Sequence, residues 1–142
     1  MSFDLEIVNG DLKIKADRTI STVNDTPKLR QDILKIILIP LGSNKFHPWY
    51  GCSINNSISG KVLPDNIISQ DIGSSVSQSL ERLRALQIAQ AADQRVSLAE
   101  IISVIENVQS GRNPSDPRQI NVFVSVLSKR LSRVEEVFTI IS

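Results

Sequence analysis

Apolar and polar residues alternate on both sides of Asn9-Gly10, the dipeptide that most strongly favours a two-residue hairpin turn. Such a turn sets Ile7 opposite Leu12, Leu5 opposite Ile14, Glu6 opposite Lys13 and Asp4 opposite Lys15. Apolar pairs then share one face and opposite charges the other, which cross-strand pairing favours. The β-branched residues between Thr19 and Val23 suit a third short strand. At Thr26-Pro27 the period changes: Thr26 reads as a helix N-cap with proline at the first helical position. Leu29, Ile33, Ile36 and Ile37 make one apolar stripe, and Pro40 and Gly42 end it. Residues 42–64 show no period, and a connection of that length is usually functional. A second, longer helix is predicted from near Asp65 to about Ala92, with Ile68, Ile72, Val76, Leu80 and Leu83 as its stripe. Gly73 and the serines around it weaken its first half, which allows a break there.

Residues 97–108 fit two periods. Leu98, Ile101, Ile102 and Ile105 match a helix, and Ser97-x-x-Glu100 imitates a capping box. The same stretch is rich in β-branched residues, which favour a strand. Residues 109–118, with Gly111, Pro114 and Pro117, read as a loop. Ile120, Val122, Val124 and Val126 then alternate with their neighbours as a strand, and residues 134–141 alternate again. The fold class expected is α+β: an N-terminal β-hairpin, two main helices joined by a long loop, and a C-terminal antiparallel sheet. All of it forms one domain over 1–142, with a hairpin region at 1–24, a helical part at 25–96 and the sheet at 97–142.

Composition narrows the function. The 142 residues carry 16 Lys and Arg against 15 Asp and Glu, a net charge of +1, which lacks the basic excess of a nucleic-acid binder. Aromatics are only 4%, so the core must be built from Ile, Leu and Val. A single Cys and a single His exclude an intrachain disulfide and a multi-Cys zinc cluster. The start of the chain lacks the basic and apolar segments of a signal peptide, and residues 36–41 are too short to cross a bilayer. No membrane partner and synthesis in the cytoplasm are expected.

Candidate chemistry is thin. His47 lies between Phe46 and Pro48 without a second ligand for zinc, so it reads as a loop or interface residue. Cys52 has no basic neighbour closer in sequence than Lys45 to depress its pKa, and reads as a small buried residue. Glu135 and Glu136 would point to opposite faces of a strand, and Asp4 and Glu6 face lysines, so neither pair suits glycoside hydrolysis. Lys129, Arg130 and Arg133 read as a solvated turn. No catalytic residue, cofactor or metal site is expected. The segment from Gly42 to Cys52 stands out because it holds the only Trp, the only Tyr and one of four Phe. Such a loop either fills a local core or presents an anchor to a partner, and composition does not separate the two.

A helix followed by Gly42, Ser43, Phe46, Pro48, Tyr50, Gly51 and Cys52 at these spacings strongly resembles the lysozyme-like baseplate wedge family of contractile phage tails, also called the tail sheath initiator, with relatives in type VI secretion systems. Gly10-Asp11-Leu12 and Leu29-Arg30-Gln31-Asp32-Ile33 are similar to that family as well. The family's second mark is Glu-Pro-Arg-Ile/Val at the end of the long helix, before a strand. Asp93-Gln94-Arg95-Val96 occupies that place, with Asp for Glu and Gln for Pro. Asp116-Pro117-Arg118 keeps the proline but lies one element later. Position favours Asp93, Gln94 and Arg95, and it makes residues 97–108 a strand.

The resemblance implies assembly, without catalysis. Six copies would surround the tail tube in a virion baseplate assembled in the host cytoplasm. The helical part would join wedge scaffold proteins through Asp93, Gln94 and Arg95, with tail tube or hub proteins as further candidate partners. The sheet would template the first ring of the tail sheath protein by strand exchange, with Val134, Val137, Phe138 and Ile140 as the sheath-strand contact. A tail-associated peptidoglycan hydrolase and a generic cytoplasmic assembly adaptor are the alternatives. Phage, tail-like bacteriocin and secretion system are not distinguished by the residues.

Overall fold

Helix α1 (Asp25–Leu38) buries the whole predicted stripe of Leu29, Ile33, Ile36 and Ile37. This computed structural model describes residues 3–54 and 64–141. The N-cap of α1 is Asn24, not Thr26, and it makes no side-chain capping bond. The buried Glu100, far along the chain, does that work instead: its Oε1 accepts the Asp25 N–H at 2.9 Å. A carboxylate at a helix N-terminus satisfies an orphan donor and faces the positive end of the dipole. At the other end the helix yields at Ile39, since Pro40 has no N–H to continue the ladder.

Helix α2 (Asp65–Asp93) runs unbroken through Gly73. An isolated glycine costs about 1 kcal/mol in a helix. The stripe of Ile68, Ile72, Val76, Leu80 and Leu83 on either side of it is buried. Each such side chain is worth about 1.5–3 kcal/mol, so packing outweighs propensity.

The ambiguous stretch divides in two. Ser97 Oγ accepts the Ala99 N–H at 3.3 Å and starts a single 3-10 turn, Leu98–Glu100. The strand expected from residue 97 therefore begins only at Ile102. The capping box is not made: the Ser97 hydroxyl caps Ala99 rather than Glu100, and the Glu100 carboxylate reaches α1 rather than its own turn.

From there β5 (Ile102–Arg112), β6 (Gln119–Ser128) and β7 (Arg133–Ile141) form an antiparallel sheet in the order β5-β6-β7. The β6 and β7 pairing sets Ile120 beside Ile140, Val122 beside Phe138 and Val126 beside Val134. That row packs against the two helices, and with Ile102 and the helical stripes it makes the core. One polar residue enters the row: Glu136, opposite Val124, pairs with Arg30 of α1 at 2.8 Å. The other face of the sheet is open, and Val137 there is 63% exposed. Lys129 and Arg130 are exposed in the β6–β7 turn, as expected.

The N-terminal arm departs further from expectation. β2 (Ile7–Val8) pairs with β3 (Asp11–Leu12) through Ile7 and Leu12, and Asn9 and Gly10 take the positive φ of 52° and 81° that this turn requires. Glu6 faces Lys13, with its carbonyl accepting the Lys13 N–H at 3.0 Å. Leu5 does not face Ile14, nor Asp4 Lys15. Instead β1 (Asp4–Leu5) pairs with β4 (Thr22–Val23), and Ile14 bridges to Ile20. The reason is a second reversal, at which Asp17 Oδ1 accepts the Thr19 N–H and Arg18 adopts φ 66°. The returning chain takes the place that a long hairpin would have filled.

Candidate functional site

The segment from Gly42 to Cys52 is pinned at its base. The Cys52 N–H donates to the Ile39 carbonyl at 2.9 Å, and the Leu41 N–H donates back to the Cys52 carbonyl at 3.0 Å. Gly51 lies between these strands of bonds, buried, with φ +120°. A Cβ there would stand 2.6 Å from the Ile39 carbonyl oxygen, a backbone atom that cannot step aside. Glycine is therefore required by both conformation and space. On its other side Ser79 Oγ of α2 donates to the Gly51 carbonyl at 3.0 Å, and Arg82 Nη1 does so at 3.4 Å. The Gly51 peptide thus ties the end of α1 to the middle of α2.

Turn geometry shapes the rest. Gly42 has φ +85°, and Ser43 bonds the Pro40 carbonyl through both its N–H and its Oγ, at 3.2 and 2.7 Å. Asn44 Oδ1 accepts the N–H groups of Phe46 at 3.0 Å and His47 at 3.3 Å, an Asx turn that fixes the loop tip. Asn44 was not among the residues the sequence pointed to; its turn propensity between Ser43 and Lys45 was the available signal.

The loop both fills a core and presents an anchor, divided by residue. Cys52 is buried and Tyr50 packs half-buried against the core. Burial pushes the Tyr50 hydroxyl up to about 12, and the nearby charges of Asp32 and Asp4 push the same way. Facing outward, Phe46 is 89% exposed and Trp49 45%. Pro48 is exposed between them, and the His47 ring meets the Trp49 ring edge-on at 5.4 Å.

Asp93, Gln94 and Arg95 are exposed at the end of α2. Gln94 accepts from Gln90 Nε2 at 3.1 Å, and among the described residues no ion pair holds Asp93 or Arg95. The competing Asp116-Pro117-Arg118 lies in the β5–β6 connection. Arg112 fastens that connection to the start of α2, with Nη1 to the Pro117 carbonyl at 2.7 Å and Nε to Asp65 at 2.5 Å. The two motifs therefore sit at opposite ends of α2, about 40 Å apart at 1.5 Å per residue.

The four residues named on β7 do not share a face. Val134 and Phe138 are buried against the helices and Ile140 packs partly on the core, whereas Val137 points to the open face. What β7 offers a partner is the backbone of an edge strand, and β5 is the other edge.

Two partly buried carboxylates, Asp32 and Glu136, sit in ion pairs. Asp32 accepts from the buried Lys28 at 2.7 Å; burial pushes its pKa up, against the pull of Lys28. Glu136 is also pushed up by burial, opposed by Arg30. Glu135 is exposed on the opposite face from Glu136. Among the described residues no group of three or more His, Cys, Asp or Glu could hold a metal, and no helix is long and apolar enough to cross a membrane.

No family model and no curated protein matches the sequence. Among solved structures, a protein from Geobacter sulfurreducens described as a "putative tail lysozyme" superposes with a TM-score of 0.60. The match covers 80% of this chain and 86% of that one at 12% identity. The two chains share a fold, an α+β unit of two helices on a three-stranded antiparallel sheet.

Proposed function

We propose that this chain is a structural subunit of a contractile tail, placed in its baseplate, where it joins the wedge scaffold around the tube and templates the first sheath ring. The observation that carries this reading is the fold shared with a protein described as a tail lysozyme, over most of both chains. The pinned loop at Gly51 and the open edges of the sheet support it. An edge strand offers unpaired N–H and C=O groups to an added strand, the form of contact that strand exchange with a sheath subunit needs. Asp93 and Arg95, exposed and outside any ion pair among the described residues, suit charge-assisted contacts with scaffold chains.

The hydrolase reading has one observation in its favour, the description of the Geobacter protein. Against it stands the state of the carboxylates. A retaining or inverting glycosidase needs two facing carboxyl groups about 5–9.5 Å apart in a cleft. The groove beside α1 has one carboxylate in its wall, Glu6, and the Ser21 hydroxyl and Lys13 hold it.

Cryo-EM of the assembled tail end tests the proposal. Six copies between the wedge scaffold and the first sheath ring, with an added strand on β5 or β7, are expected. A complete tail lacking the chain overturns it. Clearing of peptidoglycan by the purified protein, lost on replacing one carboxylate, would establish the hydrolase instead.

A further inference from the structure

Two features of the surface remain without a role, one hollow and one protruding. The hollow is a groove between the N-terminal arm and the outer side of α1. Two depressions of about 490 and 480 Å³ share Ile7, Gln31 and Leu34 as walls, so they are one trough running from Thr26 to Ile39. Its floor and sides are mostly apolar; Leu38 is 57% exposed there and Ile7 41%. Every charged group at its rim is already satisfied within the chain: Glu6 by Lys13, Arg30 by Glu136, and Lys35 by Asp4. The groove therefore asks for an uncharged, apolar occupant.

The protrusion is the loop tip described above. Phe46 is the most exposed large apolar side chain among the described residues, and Pro48 and Trp49 stand beside it. The tip is held by the Asn44 turn, so its rings are presented in a fixed arrangement at little entropic cost on docking. Each ring brings about 150–250 Å² of surface to bury in such a depression.

We propose that the Phe46–Trp49 tip of one copy docks in the α1 groove of a second copy of this chain. Hollow and protrusion are different patches, so the contact either repeats head-to-tail around a ring or along a filament, or is made twice in a two-fold pair. Two rings bury about 300–500 Å² of tip, so about 600–1,000 Å² over both partners, below the usual range of specific interfaces, and a single contact is therefore weak and gains strength from repetition. This inference stands apart from the tail reading, since it concerns the isolated chain.

Trp49 is the only tryptophan and lies in the tip, so its emission reports docking directly. Analytical ultracentrifugation and fluorescence of the full chain should show association with rising concentration, together with a blue shift. Leu38→Lys, which places a cation favourably at the end of α1, should stay folded, monomeric and unshifted. The double variant Phe46→Ser/Trp49→Ser should also be monomeric, with an unchanged circular dichroism spectrum. Mixing these two leaves one intact tip and one intact groove. The mixture should form a one-to-one dimer and no larger species, with the Trp49 of the Leu38→Lys chain shifted to the blue. A wild-type chain that remains a monomer with unshifted emission up to about 1 mM overturns the proposal. So does a wild-type chain that associates while the mixture, followed to the same concentration of about 1 mM, forms no dimer, an outcome that assigns the groove to another occupant.

Discussion

The N-terminal arm and the C-terminal sheet are written in the same sequence pattern, yet they meet opposite fates. Both alternate apolar and polar residues, and both form antiparallel pairs. In the sheet, Val122, Val124, Val126 and Val134 are sealed beneath two helices. In the arm, Leu5, Ile7, Val8, Leu12, Ile14 and Ile20 are all substantially exposed. Alternation determines that one face of a strand is apolar; whether anything covers that face is decided elsewhere in the chain. The arm is held to α1 chiefly by polar bonds from one side chain. Gln31 accepts the Ile7 N–H at 2.9 Å and donates to Asp4 and to the Leu5 carbonyl. Lys35 adds an ion pair to Asp4.

Both regions hang from α1, so the largest effect falls where α1 is locked to α2. Gly51→Ala forces a side chain into a backbone oxygen at positive φ, and should cost about 4 kcal/mol or more, melting arm and sheet together. Thermal denaturation followed by circular dichroism would read this as a large fall in Tm. Retention of the wild-type Tm would mean that the loop does not lock the helices.

Next come truncations that separate the two regions. Ile102→Ala, at a fully buried strand position, should cost about 2–5 kcal/mol in urea denaturation. Ile14→Ala, in the same pattern but 65% exposed, should change stability by less than about 0.5 kcal/mol. Equal costs would show that the arm shares the core after all.

Much of this was legible in the sequence because the stripes of α1, α2 and β6 are local periods, and local periods survive folding. The Asn9-Gly10 turn was legible for the same reason. The pairing of Leu5 was not, since it depends on a second reversal at Asp17-Arg18 that draws residues 22–23 into the place of residue 14. The helix cap was not legible either: Glu100 lies 75 positions from Asp25, and its nearer role in a capping box looked sufficient. At the candidate site, the motif marked Gly51 but not Ser79, whose hydroxyl completes the lock from a helix with many serines. Which aromatic side chains turn outward could not be read from their presence in one loop.

The cap joins the start of α1 to the C-terminal half of the chain, and it sets the third effect. Glu100 is 1% exposed and its Oε2 has no partner among the described residues. Glu100→Ala removes the acceptor for the Asp25 N–H and should cost about 1–3 kcal/mol. Glu100→Gln keeps a carbonyl oxygen for that bond and removes a poorly satisfied carboxylate, so it should lie within about 1 kcal/mol of wild type. A Glu100→Gln variant as damaged as Glu100→Ala would show that the charge itself, facing the α1 N-terminus, is what matters.

The smallest effect distinguishes the two regions by pH. Burial pushes the Asp4 carboxyl up, but the bonds from Lys35 and Gln31 outweigh it and leave the pKa below its ordinary 3.8. The folded arm therefore binds fewer protons at Asp4 than the unfolded chain does. Its stabilising share is complete above pH 3.8 and is lost as pH falls through the folded value. The body has the opposite sign, because burial raises Asp32 and Glu136. Their contribution grows on acidification and fades as pH rises through their folded values. An ion pair as exposed as that of Asp4 and Lys35 is worth about 0.2–1 kcal/mol, too little to unfold the molecule but enough to loosen an arm without a core. Amide exchange should show Ile7 losing protection as pH falls towards 3, after correction for intrinsic rates, while Val122 keeps its own. Asp4→Asn should weaken the pH dependence at Ile7, and what remains belongs to Glu6, which the Ser21 hydroxyl holds below its ordinary 4.5. Parallel loss at Ile7 and Val122 would mean that arm and sheet open as one unit, and that the contrast between them ends at side-chain exposure.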